Sequence, residues 1–217
     1  MPPHAAVRRR TPAPRGATGL ADRLVEAAEA ILAEQGLEGL SLREVARRAG
    51  VTHGAPLRHY PSYAALLAEV AARGFRPLDG AVESAAAAIA PGAGATARLA
   101  AGARAYLDCA IEKPAVFALM FRSELLDATH GTFLRDSHGA FEQLVRLVRG
   151  AQDGGWHTAR DTRQVAGSLW AAIHGLASLW SHGAYALAVR DPSFDAALES
   201  MLELLIGETA PTARRRR

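Results

Sequence analysis

Residues 41–60 read SLREVARRAGVTHGAPLRHY, and this stretch decides the fold. Ser41 followed by Glu44 is a capping-box pattern: the Ser oxygen takes an orphan N–H and the Glu side chain reaches back. The helix it opens, Leu42 to Ala49, turns Leu42, Val45 and Ala46 inward and leaves Arg43, Arg47 and Arg48 outside. Gly50 ends it, because the tight turn that follows needs a residue at ease with positive φ. Val51 plugs the angle. Thr52 caps a second short helix that runs through Tyr60, and Pro61 closes it. Pro56 is tolerable only in the first turn of that helix, where N–H groups lack partners anyway. Arg43, Arg47, Arg48 and Arg58, with His53 and His59, crowd this turn against the single acid Glu44. Such a density of donors suits phosphate oxygens.

Outward from this stretch the pattern stays helical. Leu24, Ala28, Ile31 and Leu32 form an i, i+4, i+7, i+8 stripe that stops at Gly36. A further helix is expected from about Ser62 to Arg76, with Leu66, Leu67 and Val70 inward. Residues 90–95 read as a linker. Helical patterns follow near 96–112, 114–126, 133–153, 161–183 and 193–208, and Pro114 sits at a helix start. No run alternates as a strand does, and Ala and Leu outnumber the β-branched residues. The expectation is an all-α chain. Its parts are a disordered basic arm over 1–18, a bihelical head over 19–76, a helical body over 77–209 and a basic tail over 210–217.

The 217 residues are 49% hydrophobic and 22% charged, which excludes disordered and collagen-like chains. Cys109 is the only cysteine, so no internal disulfide forms and a reducing cytoplasm is the expected compartment. Net charge is +3, unevenly spread: +3 over residues 1–80, −4 over 81–213 and +4 on the last four arginines. A basic end on an acidic body suggests that one end meets a polyanion. The 25 residues from Val165 to Val189 carry no Asp, Glu, Lys or Arg. His174, His182 and three serines make this a buried helix rather than a membrane span, covered in part by a second subunit. No secretory signal is expected, because no apolar run follows the basic start.

With those residues in view, LSLREVARRAGVTHGAPLRHYPSYAALLAEV, Leu40 to Val70, resembles the TetR/AcrR family of bacterial transcription regulators. The resemblance rests on Val45-Ala46, Ala49-Gly50-Val51-Thr52, Gly54, Leu57, His59-Tyr60 and Leu66-Leu67. It implies a homeodomain-like helix-turn-helix head on a helical dimerisation and ligand-binding body. It also implies a homodimer on palindromic double-stranded operator DNA, with half-sites about 34–36 Å apart or a multiple of that. By this resemblance Arg43, Thr52, Tyr60 and Tyr63 meet phosphates. His53, Arg58 and His59 reach base edges or backbone, and Pro56 presents an apolar face to the groove or fixes the turn sterically. The chain departs from the family at Leu57, where a Tyr is usual, at Tyr60 for Phe and at Tyr63 for Lys. One lost Lys–phosphate contact lowers the salt slope by about 1.

A second stretch, LWAAIHGLASLW from Leu169 to Trp180, resembles a C-terminal domain class named for Trp-His-Gly, here Trp170, His174 and Gly175. It implies switching by a small apolar or amphipathic effector. Pocket candidates are Tyr106, Cys109, Phe117, Met120, Phe121, Phe141, Trp170 and His174, with His174 as polar anchor. Leu169, Ile173, Leu176 and Trp180, with Leu198, Leu202 and Leu205, form either a two-fold interface or the protomer's own core. Other function classes compete. An effector-independent architectural DNA-binding protein needs a solid interior. An enzyme needs a catalytic pattern, and H-E-x-x-H, C-x-x-C and G-x-S-x-G are all missing. Cys109 with His174 is the one conceivable nucleophile pair. No cofactor or metal is expected, since His157, His174 and His182 lack ligand spacing.

Overall fold

The computed structural model describes residues 19–207. The arm expected over 1–18 and the tail over 210–217 lie outside the described residues. Among the described residues there are nine α-helices and no strand. They are α1 Leu20–Gln35, α2 Leu42–Arg48, α3 Tyr63–Ala87, α4 Ala97–Glu112, α5 Pro114–Met120, α6 Gly131–Asp153, α7 Thr162–Ser181, α8 Ala184–Ala188 and α9 Phe194–Ile206. None is long and apolar enough to cross a membrane.

The head packs α1, α2 and the start of α3 around Leu24, Val25, Ile31, Val45, Leu66 and Val70, all fully buried. Each such side chain contributes about 1.5–3 kcal/mol by leaving water. Ion pairs stitch the outside: Arg48 to Glu34 at 2.5 Å joins α2 to α1, and Arg73 to Asp22 joins α3 to α1. Only half of the capping box forms. Ser41 Oγ accepts from Glu44 N–H at 3.2 Å, but Glu44 turns to Arg47, which donates to both its oxygens at 2.7 and 2.5 Å. Gly50 ends α2 with φ of 69°. Its N–H bonds Arg47 C=O at 3.2 Å, and Val51 N–H bonds Ala46 C=O at 3.0 Å, the paired bonds of a Schellman cap.

The helix expected from Thr52 to Tyr60 does not form. In its place a single 3₁₀ turn, Pro56–Arg58, follows a turn closed by Ala55 N–H on Thr52 C=O at 2.9 Å. Pro56 has no N–H to return to Thr52, and Gly54 just before it disfavours helix. In contrast, α3 does not stop at Arg76. It continues through Pro77 to Ala87, at the cost of one internal bond at Arg73 C=O. The boundary expected at residue 76 therefore falls inside a helix, and one rod runs from head to body. Helix α5 is shorter than expected, ending at Met120, and α8 is an additional short helix after α7.

The body closes α4, α6, α7 and α9 around Leu107, Val148, Ala166, Ala177 and Leu198. Arg104 pairs with Asp195 at 2.6 Å and ties α4 to α9. Leu169, Ile173, Leu176, Leu198 and Leu202 are buried in this core. Of the two readings of their stripes, the protomer's own core holds for these five. The apolar side chains left outside are different ones: Leu187 at 90%, Leu204 at 85% and Leu179 at 50% exposure.

Candidate functional site

Two features carry chemistry: the turn after α2 and a cavity in the body. Thr52, His53, Leu57, Arg58 and His59 are exposed on the turn, and Arg43 is exposed on the adjoining helix α2. Arg47 and Arg48 are engaged by Glu44 and Glu34. Among the described residues Arg43 and Arg58 hold no ion pair, so they are the arginines here available to a polyanion. Pro56 and Tyr60 are not at the surface. Pro56 is fully buried under the turn, which corrects its expected groove-facing role and leaves the steric one. Tyr60 is buried too, with its hydroxyl donating to Ala21 C=O of α1 at 3.4 Å. Its ring is a core side chain that seats the turn, rather than a phosphate contact. Tyr63 begins α3 half-buried, and burial pushes its phenol up to about 12, so it stays a neutral donor.

The body holds a partly open cavity of about 760 Å³ between α3, α4, α6 and α7. Of the expected lining residues, Tyr106, Met120, Phe121, Phe141 and Trp170 reach its wall. Phe117, Cys109 and His174 do not. Phe117 is buried in the body core and Cys109 packs toward the head side, where burial pushes its thiol up. His174 sits one layer back, edge-on to Phe121 at 4.4 Å and stacked on Phe117 at 5.5 Å. Its expected part as polar anchor is corrected by a relay of hydrogen bonds. Trp170 Nε1–H donates to the Tyr106 hydroxyl at 3.3 Å, and that hydroxyl lies 3.0 Å from His174 Nδ1. Indole only donates, so the Tyr106 oxygen accepts from Trp170, and the direction of its bond to Nδ1 follows the tautomer of the neutral imidazole. Burial lowers the His174 pKa, which favours this neutral form. No bond joins Cys109 to His174. Among the described residues no cluster of His, Cys, Asp or Glu could hold a metal.

Other wall residues escaped the sequence reading. Phe75, Leu78, Asp79 and Val82 of α3 line the cavity, as do Phe133, Glu142 and Gln143 of α6 and Arg163 of α7. The α3 set follows i, i+3, i+4, i+7 and was legible as a helix face, but only if the helix is carried across Pro77. Arg163 donates to Glu142 at 2.6 Å and stands over the Phe141 ring at 5.5 Å. Gln143 Nε2–H donates to the backbone C=O of Asp79 at 3.0 Å.

Two family models match the chain: bacterial regulatory proteins of the tetR family over residues 24–70, and a tetracyclin repressor-like C-terminal domain over residues 99–205. The chain belongs to the TetR family. It is a DNA-binding transcriptional regulator with a helix-turn-helix head. The matching body model does not support the narrower Trp-His-Gly class. A protein of unknown function from Rhodococcus sp. RHA1 is 30% identical, with a TM-score of 0.75 over 90% of this chain and 99% of that one. The TetR family regulator PfmR from Thermus thermophilus is 17% identical, with a TM-score of 0.62 over 85% of this chain and 97% of its own. FadR from Bacillus subtilis, solved with stearoyl-CoA, is 18% identical, with a TM-score of 0.66 over 86% and 98%. These last two likenesses concern the fold. Among curated proteins none matches this sequence.

Within this TetR-family regulator the two features are mechanically joined. Helix α3 starts beside the turn that follows α2 and lines the cavity with Phe75, Leu78 and Val82. From Phe121 on the wall, residues 122–130 run back to the head, where Leu126 is buried and Asp127 N–H donates to Ala64 C=O at 3.2 Å.

Proposed function

We propose that this regulator is a ligand-responsive repressor that binds a palindromic operator as a homodimer, through Arg43, Thr52, His53, Arg58 and His59. The observation that carries the reading is the cavity of about 760 Å³ whose wall helix α3 begins at the DNA-facing turn. A ligand that displaces Phe121 or the Phe75 face of α3 works on the same rods that hold the turn. A coupling of about 1–3 kcal/mol is enough to release an operator. The stearoyl-CoA held by FadR supports the idea that this fold accepts an amphipathic effector. An architectural protein without an effector needs no such space.

The homodimer is supported by Leu179, Leu187 and Leu204, which are large apolar side chains left in solvent near the end of α7, on α8 and on α9. Leu204→Glu is expected to convert a dimer to a monomer in light scattering and to abolish cooperative operator binding. A wild-type monomer, or a Leu204→Glu dimer, contradicts this.

Selection of duplex DNA from a random pool by the full chain tests the operator claim. Enrichment of an inverted repeat, and repression of a reporter carrying it, support the reading. Enrichment of asymmetric or unrelated sequences, or activation of the reporter, contradicts it.

A further inference from the structure

The geometry points to an organic cation as the cavity's ligand class: a protonated amine on an apolar body, its ammonium N–H groups donating to the Asp79 carboxylate and its body lying on the aromatic wall. This rests on the effector-cavity reading above and narrows it.

Asp79 lies on the cavity wall, and among the described residues its carboxylate accepts no hydrogen bond and forms no ion pair; Oδ1 is sealed without a partner, and Oδ2, which keeps accessible surface, is the oxygen left to a ligand. A half-buried carboxylate without a partner is costly, and a charge-assisted donor at Oδ2 offsets most of that cost. The surroundings supply none. Gln143, the buried amide beside it, spends its Nε2–H on the Asp79 backbone carbonyl. Across from Oδ2 on α6 stands Gly139, where even an added Cβ would lie 3.7 Å away and offer no donor. Burial pushes the Asp79 carboxyl up; Arg146 draws it down from a distance, and Glu83 and Asp136 push it up. The one arginine on the wall, Arg163, is taken by Glu142 at 2.6 Å. A ligand carboxylate or phosphate therefore meets no uncommitted arginine there, and it meets an unmatched acid instead.

The rest of the wall suits the cation's body. Phe75 stands one helical turn before Asp79 and meets Phe121 and Phe133 edge-on, with ring centroids at 5.7 and 6.1 Å. Phe141 and Trp170 continue this aromatic surface at 6.1 Å. Ring faces attract an ammonium group and the methylenes beside it. A carboxylate on the same wall as these rings is thus a candidate counter-charge for a cation whose body lies on them.

Calorimetric titration of the full chain with decylamine, decanol and decanoate isolates the headgroup, since the alkyl chain is constant. Decylamine is expected to bind about tenfold or more tighter than decanol, with decanoate weakest. Asp79→Asn is expected to bring decylamine down to the level of decanol while decanol binding stays unchanged. Asp79→Glu keeps the amine preference. Decanol or decanoate matching decylamine on the wild type, or an amine preference surviving Asp79→Asn, overturns the inference while the effector cavity stands. If Asp79→Asn does not fold, the wild-type headgroup order decides alone. If none of the three binds, the inference is overturned.

Discussion

The head and the body of this regulator are built from the same Leu- and Ala-rich helices, yet they solve opposite packing problems. The head closes on itself: Leu24, Val25, Ile31, Val45, Leu66 and Val70 leave no accessible surface. The body stays open, with half-buried Tyr106, Phe121, Phe133, Phe141 and Leu144 facing about 760 Å³ of space. A closed core fixes the position of the turn after α2. An open one leaves wall residues with unsatisfied contacts, and a ligand can supply those. On the proposed function, rigidity is placed where register matters and compliance where an effector enters.

The sharpest way to break this contrast is to make the same truncation in both regions. Leu66→Ala in the head is expected to cost about 3–5 kcal/mol, since dense packing cannot collapse onto the gap. Leu144→Ala on the cavity wall loses fewer contacts and is expected to cost less than about 2 kcal/mol. Urea unfolding of both variants checks the order, and equal losses erase the distinction.

The polar relay in the body gives the next effect. Tyr106→Phe removes the acceptor of Trp170 and the hydrogen-bond partner of His174, and is expected to cost about 1–2 kcal/mol of stability in the same unfolding assay. Acid probes the relay without a large lesion. Burial holds the folded His174 below its ordinary value of 6.5. The unfolded chain thus takes up a proton near 6.5 that the folded one refuses. Stability from this group is full above 6.5 and is lost as pH falls through the folded value. His174→Asn keeps a hydrogen-bonding group beside Tyr106 and is expected to flatten this part of the pH profile, read from urea midpoints between about pH 7.5 and about 5.5. An unchanged profile contradicts a neutral buried imidazole. The smallest effect is expected at Arg47→Ala. Its pair with Glu44 is solvent-screened, so the unfolding midpoint should not move measurably.

The sequence disclosed the head more fully than the body, and the reasons are physical. Local rules write Ser41, Gly50 and the α1 stripe directly: a cap, a positive φ and a buried face each demand a particular residue type. Those rules failed at Pro56, where a missing N–H reduced an expected helix to one 3₁₀ turn, and at Pro77, where tertiary packing carried α3 past a residue that usually stops helices. The cavity depends on long-range placement. Tyr106, Phe121, Phe141 and Trp170 were visible as aromatic spacing, but Asp79 and Gln143 gain their meaning only when α3 and α6 are laid side by side. The exposed Leu187 and Leu204 were equally invisible, because a helical stripe does not say whether a neighbouring helix or solvent lies beside it.

The account stands on a cationic turn after α2 seating this protein on duplex DNA. Fluorescence anisotropy of the full chain with its selected duplex, at low ionic strength, tests this most directly. The wild type is expected to bind with a steep salt dependence, and Arg58→Ala with Thr52→Ala to lose about 1–3 kcal/mol of affinity and to flatten the salt slope. Failure of the wild type to bind any duplex, or a doubly substituted protein that binds as well as the wild type, contradicts the account.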